Sequence, residues 1–287
     1  MSEWPVGLST GCFYRRNILD CLGEIQQSGF SLVEICSASR HLDYHDRTAV
    51  EAAARKLREL KLEPYSFHAP FADHIDISSP NADERDRAVR EIMTAAEAAA
   101  TLGVGYFVIH PGPERSGIPH SEKFSRLEAA AGGLNRVAER CIQLGLGLVL
   151  ENMLPHLFAG HVRDLLWILG SLETTHVGIC LDTGHAYLSG DLTTVVHKLS
   201  GHLWMVHAHD NWGKRDDHRP PGEGAIDWRA LLHQLHAGGF HGAFIMEVSG
   251  EIANDEVLRR AQEAQQYLRD ISREVLLANL TGQDNRL

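Results

Sequence analysis

Cysteine is scarce and uninformatively spaced: Cys12, Cys21, Cys36, Cys141 and Cys180 are five in 287 residues, widely scattered and without a C-x-x-C pair. That excludes a disulfide framework and a thiolate zinc site, and leaves the thiols as small core residues. Basic charge is also short, with 27 Lys and Arg against 38 Asp and Glu and a formal net charge of −11. Nucleic-acid binding by counterion release needs clustered cations, so that partner is disfavoured. The deficit would shrink by about six charges if the acids held three divalent ions. The opening MSEWPVGLST has no basic n-region or apolar h-region, and no apolar run approaches the length needed to span a bilayer. A cytoplasmic address without a membrane partner is expected. Low-complexity tracts, solenoid repeats and linkers are absent as well, and 44% hydrophobic with 23% charged residues is ordinary globular composition. One domain over 1–287 is expected.

Histidine, by contrast, is abundant. There are eighteen, several at the ends of apolar runs rather than on polar faces. Eight β-type runs alternate with helix-type stretches: VGLST (from Val6), SLVEIC (Ser31), PYSFH (Pro64), YFVIH (Tyr106), LGLVLE (Leu146), VGICLD (Val177), LWMVH (Leu203) and AFIME (Ala243). Between them, segments such as DERDRAVREIMTAAEAAATLG carry apolar residues at helical spacing. Ser79-Pro80 and Asp227 suit helix starts, and Gly103, Gly145 and Gly238 suit helix ends. No glycine fingerprint follows the first run, where STGCFYRR stands, which disfavours an open dinucleotide-binding sheet. Strict alternation with eight repeats predicts an α/β protein, a closed (β/α)8 TIM barrel.

Side chains alternate across a strand. From the third run to the eighth, one parity is bulky and apolar and the other ends in His68, His110, Glu151, Asp182, His207 and Glu247. Each taken alone is more often a satisfied polar group than a ligand. Six in one register, at the C-terminal rim where barrel enzymes keep their sites, are not readily coincidental. Carboxylates gathered there without a cation would repel and suffer desolvation. Divalent metal is therefore expected, one to three ions per chain; histidine and carboxylate without thiolate suit Zn, Mn, Fe or Co, with Zn and Mn foremost, better than Mg or Ca.

These residues carry a resemblance. ICLDTGHAYLSGDL (179–192), the LEN ending at Asn152, FHAP, IHPG and the spacing D-x-H-x-x-x-G-E-G from Asp216 together resemble the xylose isomerase-like TIM-barrel superfamily, which includes sugar isomerases and epimerases and also endonuclease IV. The resemblance covers nearly the whole chain. Its endonuclease pattern implies three metals: His68, His110 and Glu151 on the first, Glu151, Asp182, His207 and Glu247 on the second, and His185, Asp216 and His218 on the third. The epimerase pattern implies the second set alone. His209 has the parity of His207 and could replace it, as Asp217 could Asp216.

Three functions are in play. In a sugar or sugar-phosphate isomerase or epimerase, Glu151 and Glu247 stand roughly 135° apart on an eight-strand ring and flank the substrate as base and acid around an enediolate. Phe13 and Trp212 would meet an apolar sugar face, with His209 and Arg219 lining the pocket. In an abasic-site phosphodiesterase, clustered cations activate water, but the loops lack the basic, aromatic-bearing grip a duplex needs. A non-catalytic metal- or metabolite-binding barrel ranks last, and would tolerate loss of either glutamate.

Overall fold

The computed structural model describes residues 3–250 and 254–280. Among them, β1 (Val6–Ser9), β2 (Leu32–Cys36), β3 (Glu63–His68), β4 (Tyr106–Ile109), β5 (Gly147–Glu151), β6 (Val177–Asp182), β7 (Leu203–Ala208) and β8 (Ala243–Met246) pair in parallel, in chain order, and close with β1 on β8. Helices fill the crossovers: α1 (Ile18–Gln27), α2 (Arg47–Leu60), α3 (Ala82–Leu102), α4 (Lys123–Leu144), α5 (Val162–Gly170), α6 (Thr183–Leu188), α7 (Leu192–Leu199) and α8 (Trp228–Ala237), with α9 (Asn254–Leu280) after β8. This is the predicted (β/α)8 barrel. None of the described helices is long and apolar enough to cross a membrane.

The outward parity of each strand supplies the main core. Phe67, Phe107, Leu148, Leu150, Ile179 and Leu181 are fully buried beneath the helices, each contributing about 1.5–3 kcal/mol of transfer free energy. The alanine-rich inner face of α3, with Ala88, Ala95, Ala96 and Ala99 all buried, lets that helix lie close against them. The inward parity forms a second cluster inside the barrel, built from Val108, Val149, Cys180, Met205 and Ile245.

Alternation is broken twice, and both breaks matter. Register shifts at Val33/Glu34 and Ile179/Cys180 leave Tyr65 and Trp204 as extra residues on β3 and β7. Both rings join the inner cluster with Tyr106; Tyr106 lies 4.9 Å from Tyr65 and 6.1 Å from Trp204. A Cβ at Gly178 would sit 2.1 Å from the Trp204 indole, so glycine there makes room for it. The bulges thus set an aromatic plug into the barrel floor, leaving access from the C-terminal rim.

Helix boundaries follow local capping. Asp227 accepts from the Ala230 amide, as expected. The cap of α3 is Asn81 rather than Ser79: the Asn81 side chain accepts from two first-turn amides, while Ser79 Oγ donates to Glu84 and accepts from the Asn81 amide. Gly103 and Gly145 end α3 and α4 in the left-handed conformation. After α8 the left-handed residue is Gly239, with Gly238 right-handed.

Candidate metal centre

Above the inner apolar cluster, the next inward layer is polar. Glu151, ending β5, is 1% exposed. Its Oε2 lies 3.2 Å from His68 Nε2 and 3.3 Å from His110 Nε2, and its Oε1 lies 3.1 Å from His207 Nδ1. Glu247, one residue beyond β8, brings Oε1 to 3.6 Å from the same His207 Nδ1. Donor atoms of Glu151, Asp182, His207 and Glu247 all lie within 4.8 Å of one another, as do those of His68, Glu151 and His207. The six strand-end residues therefore converge on one rim; His110 joins through Glu151.

Glu34 is the residue that sequence reasoning missed. Fully buried on β2, it accepts from Ser9 Oγ at 3.1 Å and Ser66 Oγ at 2.8 Å, and pairs with His207 Nε2 at 3.0 Å. A carboxylate behind an imidazole fixes the tautomer that leaves the other nitrogen free to bind. The signal is an acid between Val33 and Ile35 in an apolar strand, but Glu34 sits inside its run, whereas the pattern that marks the rim is carried by run ends.

A second group gathers His185, His209, Asp216 and His218, again within 4.8 Å. Asp182, at the start of α6, accepts from the His185 amide and thereby sets the helix that carries His185. Asn152 pins β5 to β6 through Asp182 N and O, and its own carbonyl accepts from His185 Nδ1 at 2.8 Å. The loop after β7 is organised by Asp210, whose buried carboxylate accepts from the amides of Gly222 and Ile226 and from Trp228 Nε1. A Cβ at Gly224 would fall 2.2 Å from Asp210 Oδ1, which accounts for the Gly-Glu-Gly turn. Asp210 holds the loop and does not line the pocket. His218 sits at φ +44, an uncommon conformation for a non-glycine residue, anchored because its carbonyl accepts from the Ser249 amide.

Burial opposes every charge in these groups, yet opposite neighbours prevail. His110 is pulled down by desolvation but lifted by Glu151 and Glu114 to about 9. The same contest raises His185 to about 10, through Asp182 and Asp216, and His218 to about 9, through Asp216. Desolvation would raise Glu151 and Asp182, but His207 and His110 around the former, and His185 and His209 around the latter, hold both below the ordinary carboxylate range.

Divalent metal fits these donors. Among the described residues, the buried side-chain atoms without a hydrogen-bond partner include His207 Nδ1 in the first group and His209 Nδ1 and Asp216 Oδ1 in the second. Buried polar atoms are seldom left orphaned, and a cation takes up such lone pairs. The mixed imidazole and carboxylate set, free of thiolate, suits a divalent transition metal.

The centre opens into a cavity of about 1090 Å³, lined by His68, His110, Glu151, His185, Asp216, His218 and Glu247 and by Tyr14, Phe71 and Arg215. The four candidate substrate contacts do not line it. Phe13 is buried with the Arg16 guanidinium over its ring. Trp212 is 56% exposed, outside, with Arg219 stacked on it. His209 is fully buried with Nε2 on Asp182. The aromatics that reach the cavity are Tyr14, Tyr44 and Phe71, the last edge-on to His68 at 5.2 Å. Asp217 also lines it, but its paired neighbour is Arg215 at 3.2 Å, whereas Asp216 points at the imidazoles.

The sequence model of a family described as xylose isomerase-like TIM barrel matches residues 22–271. A probable endonuclease 4 from Mycobacterium ulcerans is 26% identical over 250 residues, covering 83% of this chain and 92% of that protein. Among solved structures, a D-tagatose 3-epimerase-like protein superimposes with a TM-score of 0.82 at 25% identity, over 94% of this chain and 98% of that one. An IOLI protein with a bound zinc atom shares the fold with a TM-score of 0.78 at 18% identity, over 93% of this chain and 98% of that one.

Proposed function

Given that the chain belongs to the xylose isomerase-like TIM-barrel family, we propose that it is a divalent metal-dependent isomerase or epimerase of a small sugar or sugar phosphate. The supporting observation is the pair of carboxylates from β5 and beyond β8, Glu151 and Glu247, at one chelating cluster that opens into the cavity. Glu151, Asp182, His207 and Glu247 would hold the ion, with His68 and His110 on the far side of Glu151. When bound, that ion would polarise a ketose carbonyl and its neighbouring hydroxyl, acidifying the C–H of the hydroxyl-bearing carbon.

The protein's own groups then move the proton. Glu151 is clamped by three imidazoles at 3.1–3.3 Å, whereas Glu247 has its nearest at 3.6 and 4.0 Å. The less restrained Glu247 removes the proton; Glu151, handed a proton by the His68 or His110 imidazolium on its Oε2, returns that proton on the other face and inverts the carbon, and Glu247 releases its proton to solvent, from which the imidazole is recharged. Glu34 keeps His207 in the binding tautomer throughout. Tyr14 and Phe71 supply apolar surface against one sugar face and exclude water. The D-tagatose 3-epimerase-like relative supports this substrate class.

The His185–His209–Asp216–His218 group favours a second reading, phosphodiester hydrolysis at abasic DNA, as does the endonuclease 4 relative. Acids dominate the cavity wall, where Glu91, Glu114 and Asp217 stand against Arg215. That wall suits a sugar better than a duplex.

The test is to load purified protein with Zn or Mn and assay it in parallel against a panel of ketoses and ketose phosphates and an abasic oligonucleotide. Sugar turnover that falls about 10²–10⁴-fold in kcat in Glu247→Gln supports the proposal. Oligonucleotide cleavage at low enzyme without sugar turnover reverses the order of the two readings, and turnover indifferent to Glu247→Gln removes that residue from proton transfer.

A further inference from the structure

Among the described residues, three large apolar side chains line the central cavity without joining either apolar core: Phe71 on the loop after β3, and Leu154 and Leu157 on the loop after β5. Phe71 is 47% exposed and the two leucines are half-buried. Apolar surface kept out of a core and turned to a cavity marks a place where something apolar binds. The parent strands are close in the ring, β3 beside β4 and β4 beside β5. The three side chains therefore stand along one arc of the mouth, which begins where the Phe71 ring meets His68 and His110 at centroid distances of 5.2 and 5.1 Å.

Both loops are fastened. Asp76, buried just beyond Phe71, pairs with Arg126 at 2.9 Å and Arg115 at 3.0 Å and accepts from the Ser78 amide. In the second loop the Leu154 carbonyl accepts from the Leu157 amide and the Leu157 carbonyl from the Gly160 amide. Phe158 and Ala159 are buried, with Ala159 at φ +56, a conformation a non-glycine residue keeps only where its surroundings over-determine it. The Phe158 ring lies over Gly112, where a Cβ would overlap it. The leucines are thus presented by a turn anchored from below.

The opposite arc is polar, with Arg215, Asp216, Asp217 and His218 after β7 and Glu247 and Ser249 after β8. At about 1090 Å³ the cavity reaches the top of the range, roughly 300–1000 Å³, in which clefts enclose drug-sized ligands. A lone small sugar held at the metal centre leaves the apolar arc to water. Residues 69–81 and 152–161, which form the two loops, include no lysine or arginine, so the arc does not suit a phosphate.

We infer that the Phe71–Leu154–Leu157 arc is a second subsite, which takes a ring with an apolar face carried on a terminal hydroxyl of the sugar. A second sugar ring or an aryl group presents such a face. Linkage through a terminal hydroxyl keeps the carbonyl and its neighbouring hydroxyl free for the metal centre. The sugar end of this inference rests on the ketose reading above, and the ring end rests on the arc.

Calorimetric titration of zinc-loaded protein tests it, with D-fructose and D-tagatose, each free and as its 6-O-benzyl ether, and with isomaltulose, a fructose that carries glucose on the same hydroxyl. The ring-bearing probes should bind about tenfold or more tightly than their parent ketoses. Tighter binding of isomaltulose than of the benzyl ethers identifies the second ring as a sugar, and the reverse order identifies it as aryl. In Leu154→Asn and Leu157→Asn, with folding checked by circular dichroism, the ratio of ring-bearing to parent affinity should fall towards one. Saturation-transfer NMR on wild type needs no variant and should reach the benzyl or glucosyl protons at least as strongly as the ketose protons. Ring-bearing probes that bind within twofold of their parents or not at all, a ratio unchanged in both folded variants, or saturation confined to the ketose would overturn the subsite. Ring-dependent binding without turnover of any ketose would uphold the subsite and count against the isomerase reading, whereas turnover without ring preference would do the opposite.

Discussion

Glu34 shows how much of this centre depends on groups that never reach the cavity. Its carboxylate is fully buried with three partners, two serine hydroxyls and His207. Replacing it with Gln keeps the shape but offers His207 a weaker, unreliable acceptor. Glu34→Gln should lower metal affinity about 10–100-fold, read by chelator competition, with KM for substrate little changed once the site is saturated with metal. Protonation gives a second residue-scale prediction. In metal-stripped protein the raised values of His185, near 10, and His218, near 9, mean that pairing with Asp216 is gained on folding. A raised imidazole contributes stability that is fully present below its unfolded value of about 6.5 and is lost as pH rises through the folded value. The metal-free protein should therefore lose thermal stability between about pH 6.5 and 10, and the zinc-loaded protein should not, because its imidazoles carry metal instead of protons. Matching melting profiles for the two forms across that range would count against this assignment.

At the scale of elements, the loop after β7 is built around one carboxylate. Asp210 accepts from three loop amides and the Trp228 indole, so Asp210→Asn sets an amide N–H against donors. Each buried donor left unsatisfied costs about 1–3 kcal/mol, and a drop in Tm of several degrees is the expected result in thermal melts. Gly184→Ala acts at a different joint: a Cβ there would lie 2.0 Å from His209 Cε1, so the substitution should push that ring off Asp182 and lower Tm in thermal melts. The strands and their inward ligands were legible in the sequence because a period of two ending in His, Glu or Asp marks both face and rim. The bulges at Tyr65 and Trp204 were not, since an extra residue in a strand leaves no trace in composition. Pocket-lining Tyr14 and Phe71 come from irregular loops without periodicity, where residue type alone points to Phe13 and Trp212, and the backbone turns one inward and the other out. Asn81 displaced Ser79 as the α3 cap because Ser79 was engaged by Glu84.

At the scale of the whole molecule, the aromatic plug of Tyr65, Tyr106 and Trp204 closes the floor and the inner apolar cluster supports the polar layer above it. The described residues therefore place their chemistry at a single mouth. Potential metal donors from distant parts of the chain meet there: residues 68, 151, 207 and 247 at the centre and 185, 209, 216 and 218 beside it. An ion that binds only the folded chain stabilises it by mass action, so chelation should lower Tm and zinc should restore it. The most direct test of the account is anomalous diffraction from crystals soaked in zinc. It should show one ion among Glu151, Asp182, His207 and Glu247 and another among His185, His209, Asp216 and His218. No anomalous peak at either group, or zinc bound only elsewhere on the surface, would contradict it.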